Sequence, residues 1–273
     1  MTSAPLLSVV IITHNEEANI GRTLASVQSL VADGKGEIIV VDSGSTDRTV
    51  EIAKSFGAKV LVEEWKGYAA QKNSAIDKAS GEWVLLLDAD EEVSPGLAQE
   101  IEEIGRGPAE DGFGSEDGYW IKRENQFLGR ALRHGGFWPD PKLRMFRRGK
   151  GKVVSRAVHE TLQVTGRLGT LYYPLNHHCY PTVADYLDHM NRYSSLGAEM
   201  VAAKGRVRFS LVNIVVRPAA TFIYNYFFRL GFLDGREGLL LHLYHAVYVS
   251  WKYAKAWELG RLRKTADPSL RSG

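Results

Sequence analysis

Cysteine is nearly absent: Cys179 stands alone among 273 residues, which excludes an intramolecular disulfide and suits a reducing compartment. Met1–Leu7 has no basic segment ahead of an apolar run, so no signal peptide is expected. No internal repeat or low-complexity segment stands out. The loop after the first apolar run reads THNEEANIG, without the GxGxxG spacing that seats a dinucleotide, which argues against a nicotinamide-dependent dehydrogenase. A Walker A loop is missing too, which excludes a P-loop NTPase. Apolar runs of spanning length are scarce. Phe209–Phe228 carries only Arg217 as a charge, but Arg217-Pro218 interrupts it near its middle. Leu239–Trp251 is uncharged but short, and His242 and His245 fall inside it. A spanning helix needs about 20 apolar residues. Helices lying in an interface, or dipping into it, are therefore expected over true spans, with a buried helical hairpin as the alternative.

Net charge is also small, and here the scarcity misleads. The whole chain carries 34 Lys and Arg against 32 Asp and Glu, a formal +2. Residues 1–117 hold 9 basic and 22 acidic side chains, a net of −13, and residues 118–273 hold 25 and 10, a net of +15. Two oppositely charged halves point to a membrane or polyanion surface as partner of the second. With 44% hydrophobic and 24% charged residues, the chain is ordinary globular stock, enough for one large domain or two small ones.

The first hundred residues alternate between two periodicities. Ser8–Thr13, Glu37–Val41, Lys59–Val62 and Glu82–Leu87 read as short buried strands, and Glu17–Leu30, Thr46–Phe56 and Tyr68–Ala79 as helices. That order predicts βαβ units and a mostly parallel sheet. Ligands of such sheets sit beyond the carboxyl ends of the strands, which singles out Thr13-His14-Asn15-Glu16, Asp42-Ser43-Gly44-Ser45 and Asp88-Ala89-Asp90. Further on, Gly105–Gly118 reads as a surface loop, Tyr119–Gln126 as a strand and Ala184–Lys204 as a helix. Residues 222–257 hold 11 of the 28 aromatics, beside Lys252, Lys255, Arg261 and Arg263, a pairing suited to a lipid headgroup layer.

Asp88 and Asp90 should project to one side of an extended chain. Hard divalent cations take one or two carboxylates while substrate phosphates complete the shell, so this pair suits a metal–diphosphate site. A solvated acidic loop is the plainer reading, because Glu91 and Glu92 follow directly; the shared sheet edge with Asp42 weighs against it.

SVVIITHNEEANI, IIVVDSGSTDRTVEIA, GYAAQKNSAI and WVLLLDADEEV, in that order, resemble the family 2 glycosyltransferases over roughly residues 7–100. WIKRENQFLGR, GGFWPDPKLRMFRRG, VHE, NHHCY, NRYS and GFLDGREG are similar to the bacterial subgroup that includes the lipopolysaccharide-core β-1,4-glucosyltransferases. The resemblance implies an α/β GT-A fold, a Rossmann-like and mostly parallel sheet flanked by helices, with a C-terminal amphipathic helical extension that associates with membrane. A catalytic domain over 1–180, with a nucleotide-sugar half (1–105) and an acceptor half (118–180), would precede a helical region over 181–273.

The same resemblance assigns roles. Thr13, Asn15 and Glu16 would line the nucleotide pocket, Asp42 would bond the uracil, and Lys72 and Asn73 would lie nearby. Asp88 would contact ribose and help place a divalent cation, Mg²⁺ or Mn²⁺, held by Asp90 and completed by His177. Zinc at His177-His178-Cys179 is disfavoured because no second cysteine exists. An acceptor base is needed; Glu160, in Val158-His159-Glu160, is the first choice and Asp140 the reserve, against a merely ion-paired Glu160. The basic run Lys142, Arg144, Arg147, Arg148, Lys150, Lys152 and Arg156 lacks a nucleic-acid motif, so Arg144, Arg147 and Arg148 are expected to meet a phosphate-bearing acceptor, or to form a plain solvated face. The processive signature QxxRW is missing, which favours one sugar per acceptor. The expected enzyme is a metal-dependent inverting hexosyltransferase at the cytoplasmic face of the inner membrane, moving glucose from UDP-glucose to a lipid-linked or lipopolysaccharide-core acceptor. A polyprenyl-phosphate sugar synthase and a non-catalytic nucleotide-sugar-binding membrane protein are the alternatives.

Overall fold

In the computed structural model the described residues are 5–107, 114–155, 160–205 and 208–266, with side chains described as far as residue 262. They form two compact units, one from Met1–Glu124 with Pro139–His178, the other from Asn125–Trp138 with Cys179–Gly273. These do not coincide with a division at residue 180: the stretch 125–138 groups with the C-terminal helices.

The first unit opens with β1 (Leu7–Thr13), α1 (Ile20–Ser26), α2 (Gln28–Val31), β2 (Gly36–Asp42), α3 (Thr49–Ser55), β3 (Lys59–Val62), α4 (Tyr68–Ile76) and β4 (Trp83–Asp88). Each strand falls within two residues of its expected place, and the first expected helix is split in two. The sheet begins β3-β2-β1-β4, all parallel. Alternate side chains of a strand face opposite ways, and both faces are covered. Val9, Ile11, Val40, Leu85 and Leu87 pack against Ile20 and Leu24 of α1, while Val10, Ile39, Val41, Val84 and Leu86 pack against Ala69, Ala75 and Ile76 of α4. This is why these strands read as unbroken apolar runs.

Beyond β4 come β5 (Glu91–Val93), α5 (Pro95–Gly105), β6 (Gly118–Phe127), β7 (Arg130–Ala131), β8 (Asp140–Arg147), β9 (Gly151–Ser155), β10 (Glu160–Val164), β11 (Leu168–Thr170) and β12 (Leu175–Tyr180). Ser94 caps α5 by accepting from Leu97 N–H, and Pro95 follows it in the first turn. The sheet continues β8-β6-β12-β5, with β8 antiparallel to both β4 and β6. It is therefore mixed, not mostly parallel as expected, because links without a crossover helix return the chain antiparallel. The basic run resolves into β8 and β9, whose charged residues mask their strand character. Arg156, Val158, His159 and the middle of the Gly105–Gly118 segment lie outside the described residues.

In the second unit, α6 (Val183–Ala203) starts on a capping box between Thr182 and Asp185. A helical run from Leu211 to Phe228 follows, with α7 (Arg217–Ile223) between wide π-helical turns at Val212–Val216 and Tyr224–Phe228. A short turn then leads to α8 (Gly235–Ala266). Arg217-Pro218 does not break the run as expected. Pro218 has no N–H to give the Ile214 carbonyl four residues back, and Ser250 Oγ of α8 donates to that carbonyl at 2.9 Å. Arg217 lies 5.1 Å from the Tyr253 ring centroid and donates to its hydroxyl. Phe127, Leu132, Tyr186, Met190 and Leu241 form the core of this unit. Among the described residues no helix is long and apolar enough to cross a membrane. Many large apolar side chains of this unit are nevertheless exposed, Phe228 by 75%.

Candidate active site

Parallel pairing puts three polar side chains in one row at the carboxyl edge of the sheet. Thr13 pairs with Asp42 across β1 and β2, and Ile12 with Asp88 across β1 and β4. Asp42 is buried. Its Oδ2 accepts from Thr13 Oγ1 (2.9 Å) and Ser45 Oγ (2.5 Å), and its Oδ1 from the N–H groups of Gly44 (3.0 Å) and Ser45 (2.8 Å). That fills the roughly four lone-pair sites of a carboxylate, so a nucleobase N–H would need one hydroxyl to turn away. Asn15, at φ 55°, accepts from Thr46 N–H through Oδ1 and donates its own N–H to Ser45 Oγ. Glu16 N–H donates to Thr49 Oγ1. The two loops are thus laced into one rim. Burial raises the Glu16 carboxyl above its ordinary range; the Asn19 hydrogen bond opposes this, and Asp90, Asp47 and Asp88 add to it.

Behind the row runs a chain of alternating charge. Lys72, buried on α4, reaches Asp88 Oδ1 at 2.8 Å and Glu160 Oε1 at 3.0 Å. Arg144, buried on β8, bonds both Asp88 and Glu91. Glu91, with its side chain fully enclosed, also meets Arg123 at 3.4 Å and accepts from Asp88 N–H. Arg123 continues to Asp140 at 2.7 Å, and Lys142 reaches the same carboxylate at 2.8 Å. Four carboxylates and four cations alternate from Glu160 to Lys142.

This order sets the acidities. Burial opposes ionisation of Asp88, yet Arg144 and Lys72 hold it well below the usual carboxylate range. Burial likewise opposes ionisation of Glu160 and Asp140, and they too are held low, by Lys72 and by Arg123 with Lys142 respectively. Burial opposes the charge on Lys72, yet Asp88 and Glu160 together outweigh it, so its proton is held more tightly than usual.

The chain does not stay extended through Asp88-Ala89-Asp90. It turns at 89–90, and the Ala89 carbonyl accepts from Thr23 Oγ1. Asp88 therefore faces Lys72 and Arg144, while Asp90 Oδ2 faces His177 Nε2 at 3.2 Å. Burial opposes ionisation of Asp90, yet the His177 hydrogen bond and charge, with a backbone hydrogen bond, together keep it below its ordinary value. Among the described residues no three His, Cys, Asp or Glu side chains group as a metal set. Asp90 and His177 do offer one carboxylate and one imidazole side by side, which fits a cation that draws its remaining ligands from a diphosphate. Asp88, its charge already balanced by Lys72 and Arg144, does not fit as a direct cation ligand, although lone pairs remain on both oxygens.

Other expected residues fall elsewhere. Asn73 donates to Val153 O (2.7 Å) and accepts from Val153 N–H (2.9 Å), so it fastens α4 to β9. Arg147 pairs in register with Trp83, at the opposite end of β4 from Asp88, about 16 Å away at strand rise. It covers the Trp83 ring at 4.4 Å and bonds Glu82, and Arg148 Nε donates to Gly81 O at 2.9 Å. Neither lies at the carboxyl edge, and Arg144 is an interior partner of Asp88, not a surface phosphate ligand. His178 pairs with Glu92 at 2.8 Å, and Cys179 Sγ donates to Gln126 O. Glu91 and Arg123, which tie Asp88 to Asp140, were not singled out by sequence; a carboxylate two residues before the end of an apolar strand-turn-strand was the only hint.

The model of glycosyl transferase family 2 matches residues 8–162, more than half of the chain. An uncharacterized glycosyltransferase of Rickettsia typhi is 31% identical over 93% of this chain and 87% of its own. The lipopolysaccharide core biosynthesis glycosyltransferase LpsC of Rhizobium meliloti is 29% identical over 97% of each. A mannosyltransferase from Pyrobaculum calidifontis, solved with GDP-Man and Mn²⁺, aligns over 98% of this chain and 88% of its own, at TM-score 0.48 and 17% identity.

Proposed function

The chain belongs to glycosyl transferase family 2, and from that premise we propose a cation-dependent inverting hexosyltransferase that moves glucose from UDP-glucose to a lipid-linked acceptor. Family membership makes it an enzyme with a GT-A-like mixed α/β fold, and sets aside the non-catalytic alternative. The lipopolysaccharide-core name of the Rhizobium relative supports the acceptor class, and the exposed apolar surface of the helical unit supports work at the cytoplasmic face of the inner membrane.

The observation that carries the mechanism is Lys72, whose single ammonium touches both Asp88 and Glu160. It holds the intended base beside the donor carboxylate, with both ionised. Glu160 accepts the acceptor hydroxyl proton once that hydroxyl displaces the lysine. Asp88, fixed from two sides, receives the ribose hydroxyls, and Thr13, Asn15, Glu16 and Asp42 form the nucleoside rim. Asp90 and His177 are the residues that would hold the cation, which supplies charge neutralisation for the departing diphosphate.

UDP release should be measured across a panel of UDP-sugars with and without Mn²⁺ or Mg²⁺. Turnover of UDP-glucose that stops with chelator and returns with the ion is expected; no turnover across the panel, or turnover indifferent to the ion, sinks this reading. A second reading is favoured by the depressed basicity of both candidate bases, Glu160 and Asp140. A polyprenyl phosphate acceptor is already ionised and needs no base. Glu160→Gln separates the two: about a hundredfold or greater loss of kcat marks a hydroxyl acceptor, and an unchanged kcat marks a phosphate.

A further inference from the structure

We propose that the hairpin tip Phe227–Leu233, with the loop Arg130–Gly136 that packs on it, is a docking site for the phosphate of an anionic lipid in a bilayer surface. The proposal rests on the membrane part of the functional reading, not on its chemistry.

The tip turns sharply, with Leu230 at φ 61°. Phe227, Phe228, Leu230, Phe232 and Leu233 are all exposed, and Arg229 sits among them. Both ends of this arginine are fixed to the loop. Its carbonyl accepts from Gly135 N–H at 2.8 Å. Its guanidinium lies so close over Gly136 that a Cβ there would stand 2.1 Å from Nη1, and Gly136 has φ +93°. Only a glycine gives that approach.

Beside it, His134 is held by a buried carboxylate. Asp234 Oδ1 is 2.7 Å from His134 Nδ1, and Asp234 also accepts the N–H groups of Arg133 (3.2 Å) and His134 (2.9 Å). With Nδ1 engaged inward, the rest of the ring is presented outward, its side chain 34% exposed. Arg130 braces the tip from below, donating to Leu233 O and meeting Glu237. The result is a guanidinium and an oriented imidazole at the base of five apolar side chains.

That pairing matches a phospholipid. A guanidinium fork suits phosphate oxygens; His134, its Nδ1–H given to Asp234, adds an Nε2–H to them as the imidazolium, and aromatic and aliphatic side chains suit the acyl boundary next to them. Charge agrees: residues 125–138 and 179–273 hold 15 basic against 7 acidic side chains, a net of +8. A protein partner or second copy would have to bring acids to a largely apolar tip.

The test is co-sedimentation of the full chain with vesicles of phosphatidylcholine alone or mixed with phosphatidylglycerol, with donor hydrolysis assayed in parallel without vesicles. Binding is expected on the mixed vesicles. Arg229→Gln should lower it about fivefold, as expected for one basic residue near an anionic surface. His134→Gln should lower it in the same direction, and Phe228→Ser should weaken binding to both compositions. Equal wild-type binding to both vesicles, or an Arg229→Gln protein that binds like wild type, overturns the site. So does self-association in sedimentation velocity without vesicle binding. Donor hydrolysis that persists while vesicle binding fails removes the lipid site alone; vesicle binding without donor hydrolysis removes the transferase reading alone.

Discussion

Glu91 shows how much one side chain can carry here. It is fully enclosed between Arg144 and Arg123, and it also accepts the Asp88 N–H. Removing one partner of a buried ion pair typically costs about 3–5 kcal/mol, because the remaining charge stays buried and uncompensated. Glu91→Gln should therefore lower the unfolding free energy in urea by about that much; a loss under about 1 kcal/mol would mean the arginines re-pair elsewhere. Acid pH tests the same chain. Asp88, Asp140 and Glu160 are each held below their ordinary values, so they bind protons more weakly folded than unfolded. The stability they contribute is present above the unfolded carboxylate range near about pH 4 and is lost as pH falls through the lower folded values. Tm followed against pH should be level from neutrality to about pH 5 and drop below about pH 4. A Tm that falls well above that range would contradict the depressed values.

At the scale of elements, the helical run Leu211–Phe228 survives its proline because a neighbour completes it. Ser250→Ala removes the hydroxyl that serves the partly buried Ile214 carbonyl, at a cost of about 0.5–1.5 kcal/mol. Pro218→Ala restores a backbone N–H, so Ser250→Ala should cost less in that background. A double-mutant cycle on denaturant unfolding should show coupling above about 0.5 kcal/mol, and additivity would refute the account. The same run shows where sequence legibility stops. Strands β1, β2 and β4 were readable because helices cover both faces and leave runs of apolar residues. The strand ends Thr13, Asp42 and Asp88 followed from that. The Pro218 break was misread, because Ser250 lies 32 residues away and its hydroxyl is invisible to periodicity. Strands β8 and β9 were hidden by the Lys and Arg among their apolar residues, and with them the fact that Arg144 points inward while Arg147 belongs to the opposite edge. Asn73 sits in a family motif, yet its amide serves the Val153 backbone, a pairing no local pattern announces.

For the whole molecule, the internally paired charges and the exposed ones respond differently to their surroundings. The alternating chain from Glu160 to Lys142 draws Lys72, Asp88 and Glu91 from the acidic half and its other members from the basic one; its carboxylates have cations about 3 Å away and the total is neutral. Arg229 at the helical tip, by contrast, is exposed. Mobile ions act over a Debye length of about 8 Å at physiological strength and hardly enter a contact that tight. Added salt should then detach the chain from anionic vesicles while leaving the KM for donor nearly constant, measured by sedimentation and UDP release in the same series. A donor KM that climbs in step with the detachment would show the chain of pairs open to solvent. Ionic strength thus becomes a dial that separates where the enzyme stands from what it does, because the site already carries its own counterions.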